Sequence, residues 1–192
     1  MMRSVILYGN HCNLRDLKNM IGTKYGKVAI YDYNSDWDAA FKTEKMALME
    51  VLGNDVIEIE HVGSTSIVGM AAKPTIDIIA GLKALNAVDY YIDILGEIGY
   101  EFRPSHPVPS RLHFAKIVQS LRTHNLSLTE YDSQFWKNHI LFRDYLRVDS
   151  ETAEAYKHLK LRLAKEYPND TVGYTEAKNV FIEYVLQKAI KL

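Results

Sequence analysis

The stretch Glu60-His61-Val62-Gly63-Ser64-Thr65-Ser66, followed by Lys73-Pro74-Thr75-Ile76-Asp77, carries residue types suited to holding a phosphate. A strand that runs into Gly-Ser-Thr and then a helix offers backbone N–H groups and two hydroxyls to a phosphate oxygen. Glycine at position 63 lets the chain turn and lets a ligand approach the backbone closely. Lys73 adds positive charge beside the turn, and Asp77 is the carboxylate placed to hold a divalent cation, Mg2+, against phosphate oxygens. The same residues also fit a plainer pattern, a strand-to-helix turn with a capping hydroxyl.

Other candidates have two readings each. His61 continues the apolar alternation of Ile57 and Ile59, so it is either a core-facing histidine or a site residue. Glu58 and Glu60, on the other face of that strand, are solvent-facing, paired, or a second source of carboxylate. Arg143 and Arg147 flank Asp144 on one helix; surface pairing suits Arg147, whereas Arg143 is a candidate for a ligand phosphate. Tyr174 and Lys178 fall one turn apart on the last helix, facing the same cleft.

The elements that must position these groups follow from hydrophobic periodicity. Ser35, as an N-cap, opens a helix with Trp37, Phe41, Leu48 and Leu52 on one face, and Gly53-Asn54 ends it. Strands are predicted over 57–62 and 76–80, then a helix from Val88 to Ile98 closed by Gly99. Pro104, Pro107 and Pro109 mark a loop. Two strands, 111–118 and 122–128, flank a hairpin turn at Gln119-Ser120, and helices cover 135–147, 151–167 and 174–190. Strands first and helices last predict an α+β domain, a mixed sheet with helices packed against it and a helical C-terminal part, spanning 27–192. Residues 1–26, with a short helix over Leu14, Leu17 and Met20, read as an N-terminal extension.

Composition narrows the function classes. The chain has 192 residues, 47% of them hydrophobic and 24% charged, an ordinary globular balance. With a formal charge of -1 there is no global basic field, and the thirteen tyrosines with Trp37 and Trp136 read as packing rather than as a nucleic-acid surface. No nucleic-acid or membrane partner is therefore expected. The single cysteine, Cys12, excludes an internal disulfide framework and suits a reducing compartment, and the expected location is the cytoplasm.

Five segments, taken in order, resemble the successive motifs of the GrpB family. They are 60–66 and 71–77, then Arg122-Thr123-His124, Phe142-Arg143-Asp144-Tyr145-Leu146-Arg147 and Tyr174-Thr175-Glu176-Ala177-Lys178. The resemblance runs from about Val28 to the C-terminal helix and implies the nucleotidyltransferase fold. Some relatives are similar to a domain fused to dephospho-coenzyme A kinase, which implies a place in nucleotide or coenzyme metabolism.

The wider superfamily places Gly-Ser after its first strand and an acid pair on the next. Gly63-Ser64 and Asp77 match, but the partner position is Ile79. Relatives carry a His-His-x-His string where this chain reads His124-Asn125-Leu126-Ser127. Strand alternation puts Asn125 and Ser127 on one face and His124 on the other, so the imidazole pair that would bind a borderline metal is replaced by an amide and a hydroxyl. The resemblance adds Arg122 to the cleft candidates.

These readings converge on a protein that binds a nucleotide or another phosphorylated small molecule, through Gly63, Ser64, Thr65, Lys73, Arg143 and Lys178. Asp77 would serve as metal ligand and catalytic carboxylate, and no tightly bound transition metal is expected. Two alternatives stand: an active metal-dependent nucleotidyl or phosphoryl transferase, and a non-catalytic interaction module.

Overall fold

A computed structural model describes residues 21–85, 88–104 and 110–191. Its described strands are β1 (Thr23–Lys24), β2 (Val56–Val62), β3 (Ile76–Leu82), β4 (Tyr100–Phe102), β5 (Leu112–Val118) and β6 (Leu121–Glu130). They form one mixed sheet in the order β2-β3-β6-β5-β4. The β3–β6 pair is parallel and its neighbours are antiparallel, while β1 pairs with the start of β6. The two-residue turn between β5 and β6 puts both Gln119 and Ser120 at positive φ, the left-handed pair that matches the twist of a tight hairpin.

Helices α1 (Asp36–Leu52) and α2 (Val88–Gly96) cover one face of the sheet. Trp37, Phe41, Leu48, Leu52, Tyr91 and Leu95 meet Ile76, Ile78, Ala80, Phe114, Leu126 and Leu128 in the main core. The β residues in this set alternate along their strands, and full burial of each such apolar side chain contributes about 1.5–3 kcal/mol. The opposite face is met by α3 (Gln134–Val148), against which α4 (Ser150–Glu166) and α6 (Asn179–Ala189) pack, with α5 (Thr171–Glu176) beside α4. There Trp136 packs on Val62 and Ile79, while Tyr145, Tyr156 and Val185 form a second core with Ile67 and Met70.

Several local expectations are corrected. Ser35 takes helical dihedrals and makes no cap; Asn34 Oδ1 instead accepts from the Asp36 N–H at 2.9 Å. No helix starts near Thr65, where Ser64–Ser66 form a single 3-10 turn before the chain becomes extended at Ile67. A turn this short has no column of aligned peptide dipoles, so the expected helix-terminus phosphate cradle is not built. The helix expected over 174–190 is two pieces, because the backbone tightens where Lys178 N–H donates to Thr175 O. The sequence reading also missed the short strands β1 and β4. The expected helix at Leu14–Met20 and the prolines 107 and 109 lie outside the described residues. From Ile21 onward, the stretch read as an extension is tied to the sheet through Gly22 and β1.

No helix among the described residues is long and apolar enough to cross a membrane.

Candidate functional site

Asp77 stands near the start of β3 on the face that meets α3, and β2, β6 and the Gly63 turn converge on it. Antiparallel pairing sets Val62 opposite it, and parallel pairing sets Asn125 opposite it on the other side. Asn125 Nδ2 donates to Asp77 Oδ1 at 2.8 Å. Gly63, with φ 70°, follows Val62 directly, and a Cβ built on it would lie 2.5 Å from Asp77 Oδ2. Only glycine satisfies both the left-handed backbone and that contact. The Gly-Ser turn is thereby pressed against the carboxylate.

The helices supply the opposing wall. Tyr174, on α5, is 1% exposed, and its ring lies between two ammonium groups: Lys73 Nζ at 5.4 Å and Lys178 Nζ at 4.5 Å from its centroid. The break between α5 and α6 places Lys178 over that ring. On α4, Lys160 is 1% exposed and donates to the Ala71 carbonyl, with its Nζ 4.9 Å from the centroid of Tyr156. Burial is the largest cause lowering all three lysines. Lys178 falls to about 8, further lowered by Lys73 and partly restored by Asp77. Lys160 falls to about 7, with repulsion from Lys178 added and Asp77 again opposing. Lys73 is lowered against the attraction of Asp77. Burial raises the Tyr156 and Tyr174 phenols, and for Tyr156 the Ser64 hydroxyl acts in the opposite sense.

Three lysines, each disfavoured by burial, thus feel the charge of one carboxylate, and none of them is close enough to form a salt bridge with it. The acid pair of a two-metal site is absent: Ile79, two residues along β3, is fully buried against Val62 and Trp136. Glu60 is opposite Ile79 in the β2–β3 register, yet its carboxylate is taken by Arg143. Glu58 is exposed, opposite Gly81. No cluster of three or more His, Cys, Asp or Glu suited to a metal ion occurs among the described residues. A two-metal arrangement therefore does not fit these side chains.

Other candidates are drawn elsewhere. Arg143 is 7% exposed and donates to Glu60, to the His61 carbonyl at 3.0 Å and to Asp144 at 2.8 Å, which leaves its fork committed to protein acceptors rather than to a ligand beside Asp77. Arg147 donates to the Ser66 carbonyl at 2.9 Å and pairs with Asp144. His61 points into the opposite face: its ring stacks on Phe41 with centroids 4.7 Å apart, and Nε2 lies 2.9 Å from Thr65 Oγ1. That contact draws Thr65 inward as well, and burial lowers His61 to about 4. His124 is on the same far face, with Nδ1 2.9 Å from Thr123 Oγ1 and Nε2 3.9 Å from Glu44.

His61, Thr65, Arg143 and Arg147, though not His124, line a separate open cavity of about 770 Å3 together with Phe41, Ser66 and Met70, and none of Asp77, Lys73 or Lys178 lines it. The structure gathers Gly63, Ser64, Lys73, Asp77, Asn125, Tyr174 and Lys178. It places Glu60, His61, Thr65, Arg143 and His124 outside the cleft. Ser127 and Arg122 lie on the Asp77 face: Ser127 is opposite Ile79, and Arg122 opposes Ile117 after a bulge.

Sequence reasoning missed Tyr156, Lys160, His113 and His139. Lys160 had a usable signal, since it falls at helical spacing between Tyr156 and Leu163 in an otherwise apolar stripe. His113 is opposite Ser127, and burial lowers it to about 4. Burial likewise lowers His139, whose Nδ1 lies 2.8 Å from the Phe135 carbonyl.

Comparison with known proteins identifies the family and the fold. The family model described as GrpB protein matches residues 27–188. The glutamate-rich protein GrpB of Alkalihalophilus pseudofirmus is 35% identical over 173 residues, covering 88% of this chain and 99% of that protein. The UPF0157 protein YqkA of Bacillus subtilis is 35% identical over 163 residues, and this chain spans 47% of its length. The crystal structure of the conserved protein GrpB from Enterococcus faecalis superposes with TM-score 0.78 at 31% identity, over 85% of this chain and 98% of that one. The Cid1 poly(U) polymerase with Mg 3'-dATP bound aligns over 77% of this chain and 49% of its own, with TM-score 0.51 and 15% identity, a likeness of fold alone. This chain belongs to the GrpB family and has a nucleotidyltransferase-like fold.

Proposed function

We propose that this protein binds a nucleotide or a related phosphorylated small molecule in the cleft between β3 and the α4–α6 helices. The observation that carries this reading is the charge imbalance there: Lys73, Lys160 and Lys178 converge on the single carboxylate of Asp77 in a desolvated setting. Buried like charges repel and cost folding free energy, and an anionic occupant relieves that cost. Phosphate oxygens meet Lys73 and Lys178, the Ser64 hydroxyl supplies a neutral donor, and the ring of Tyr174 holds both ammonium groups in place. Asp77, held by Asn125, orients a ligand hydroxyl or an ion carried in with the phosphates. Mg2+ belongs to this proposal only as such a companion, and no reaction step is assigned to it, because the second carboxylate of a transferase pair is replaced by Ile79.

A thermal-shift series of nucleotides with and without Mg2+ tests the reading. A specific ligand at about 100 times its dissociation constant stabilises the fold by about 2.7 kcal/mol. The shift should appear for phosphorylated nucleosides, vanish for the bare nucleosides and be lost in Lys178→Gln. A flat series overturns the proposal and leaves a non-catalytic interaction module as the better reading.

A further inference from the structure

The sheet face that carries Asp77 continues past it into a second group of polar side chains. Across β3, β6 and β5 the register runs Ile79, Ser127, His113, and Arg103 follows, its N–H bonded to the His113 carbonyl at 2.8 Å. Arg111 lies two residues from His113, on the same face by alternation. Arg122 opposes Ile117 after the β5–β6 bulge, which turns its side chain toward this face, and its guanidinium lies 5.5 Å from the centroid of Tyr25. The Arg111 guanidinium lies 5.4 Å from the centroid of Phe135. Arg111 and Arg122 are thus each supported by an aromatic ring.

Their polar atoms lack protein partners. Among the described residues, the Nε atoms of Arg103, Arg111 and Arg122, Nδ1 of His113 and Oδ1 of Asn125 are buried with no hydrogen-bond partner. Five such atoms on one face call for an explanation, since native structures satisfy nearly all buried polar groups. Carboxylates are scarce here as well. Glu101 is taken by Arg103 at 2.6 Å, and Asp77 accepts from Asn125. The segment Ser105-His106-Pro107-Val108-Pro109, between β4 and β5, contains no acid in its sequence.

We propose that Arg111, Arg122 and His113, with Asn125 at its margin, form a second oxyanion subsite on the β5–β6 surface. Arg122 is near enough to feel Asp77, whereas His113 is two strands across and two residues along from it, about 12 Å away at the usual spacings. That separation exceeds the reach of adjoining phosphoryl groups at the Asp77 cleft. The subsite takes the phosphoryl or carboxylate group of a second substrate, or of the far end of one long ligand. This inference rests on the proposed reading of the Asp77 cleft as the first anion site.

The test uses inorganic pyrophosphate titrated calorimetrically into the full chain. The wild type should bind two equivalents, Arg111→Gln with Arg122→Gln one, and Lys178→Gln one. Arg122→Lys, which keeps the charge without the planar fork, should retain the second equivalent with at least tenfold weaker affinity. A crystal soaked in tungstate should show metal density beside Arg111 and Arg122.

Preloading with a nucleoside triphosphate separates the two sources. Pyrophosphate that still adds one equivalent assigns the subsite to a second molecule, and complete blockage assigns it to one long ligand. If Lys178→Gln keeps both equivalents while the arginine pair loses one, the subsite stands and the first reading of the Asp77 cleft falls. An arginine variant that keeps both equivalents, with no tungstate density at these side chains, overturns the subsite.

Discussion

On one side of the Gly63–Met70 segment, Arg143 donates to Glu60, the His61 carbonyl and Asp144, and Arg147 closes on Ser66 and Asp144. On the other side, Lys73, Lys160 and Lys178 feel one carboxylate, Asp77, and among the described residues Lys160 bonds only the Ala71 carbonyl. The first arrangement is complete within the chain: its cations meet acceptors supplied by β2, the Ser64–Ser66 turn and α3. The second is unbalanced, and its charge is relieved either by losing protons or by gaining an anion. Buried charge that is matched holds the fold, whereas buried charge left unmatched marks where a ligand belongs.

Breaking the matched side should have the largest effect. Arg143→Ala leaves the Glu60 carboxylate without its partner, and urea denaturation should show a loss of about 3 kcal/mol. Nucleotide affinity of the folded fraction should change little, because Arg143 does not reach Asp77. A large drop in affinity with unchanged stability would reverse the roles assigned to the two sides.

Gly63→Ala sharpens the contrast from the cleft side. The methyl group meets Asp77 Oδ2 at 2.5 Å and the residue keeps φ 70°, so the variant should lose roughly 1–3 kcal/mol of stability. Asp77 must shift at the same time, and nucleotide-induced stabilisation should disappear.

A third expectation concerns pH. The unfolded Lys160 titrates near 10.5 and the folded one near 7, so between those values the unfolded chain binds more protons. Stability should therefore rise with pH across that window, and the cost of the buried charge is fully present below about 7. Lys160→Met should flatten the rise in denaturation measured at pH 6, 8 and 10. Anion binding runs the other way, weakening as Lys178 loses its proton above about 8. Parallel slopes for wild type and variant would assign the pH dependence to other groups.

The smallest effect should come from restoring imidazoles. Asn125 is opposite Asp77 and Ser127 is two residues on, also facing His113. Asn125→His with Ser127→His sets two imidazoles beside the Asp77 carboxylate, and elemental analysis should then find zinc or nickel retained by the variant and not by the wild type. Metal already held at full occupancy by the wild type would contradict this placement.

The sequence by itself carried much of the fold, because period-two and period-3.6 patterns are local. The strands at 57–62, 76–80 and 111–128 and the helices on either side were legible from alternation and breakers. Gly63, Ser64, Lys73 and Asp77 were legible as a group because they are close in sequence and join one turn to one strand. The tertiary structure decided the rest. Sequence spacing alone could not tell that Arg143 crosses to Glu60, that His61 stacks on Phe41, or that the break at Ala177-Lys178 folds Lys178 over Tyr174. Lys160 lay in an apolar helical stripe, yet its desolvation was decided only in three dimensions: neighbouring elements close over it, and that closure converts an ordinary cation into a desolvated one.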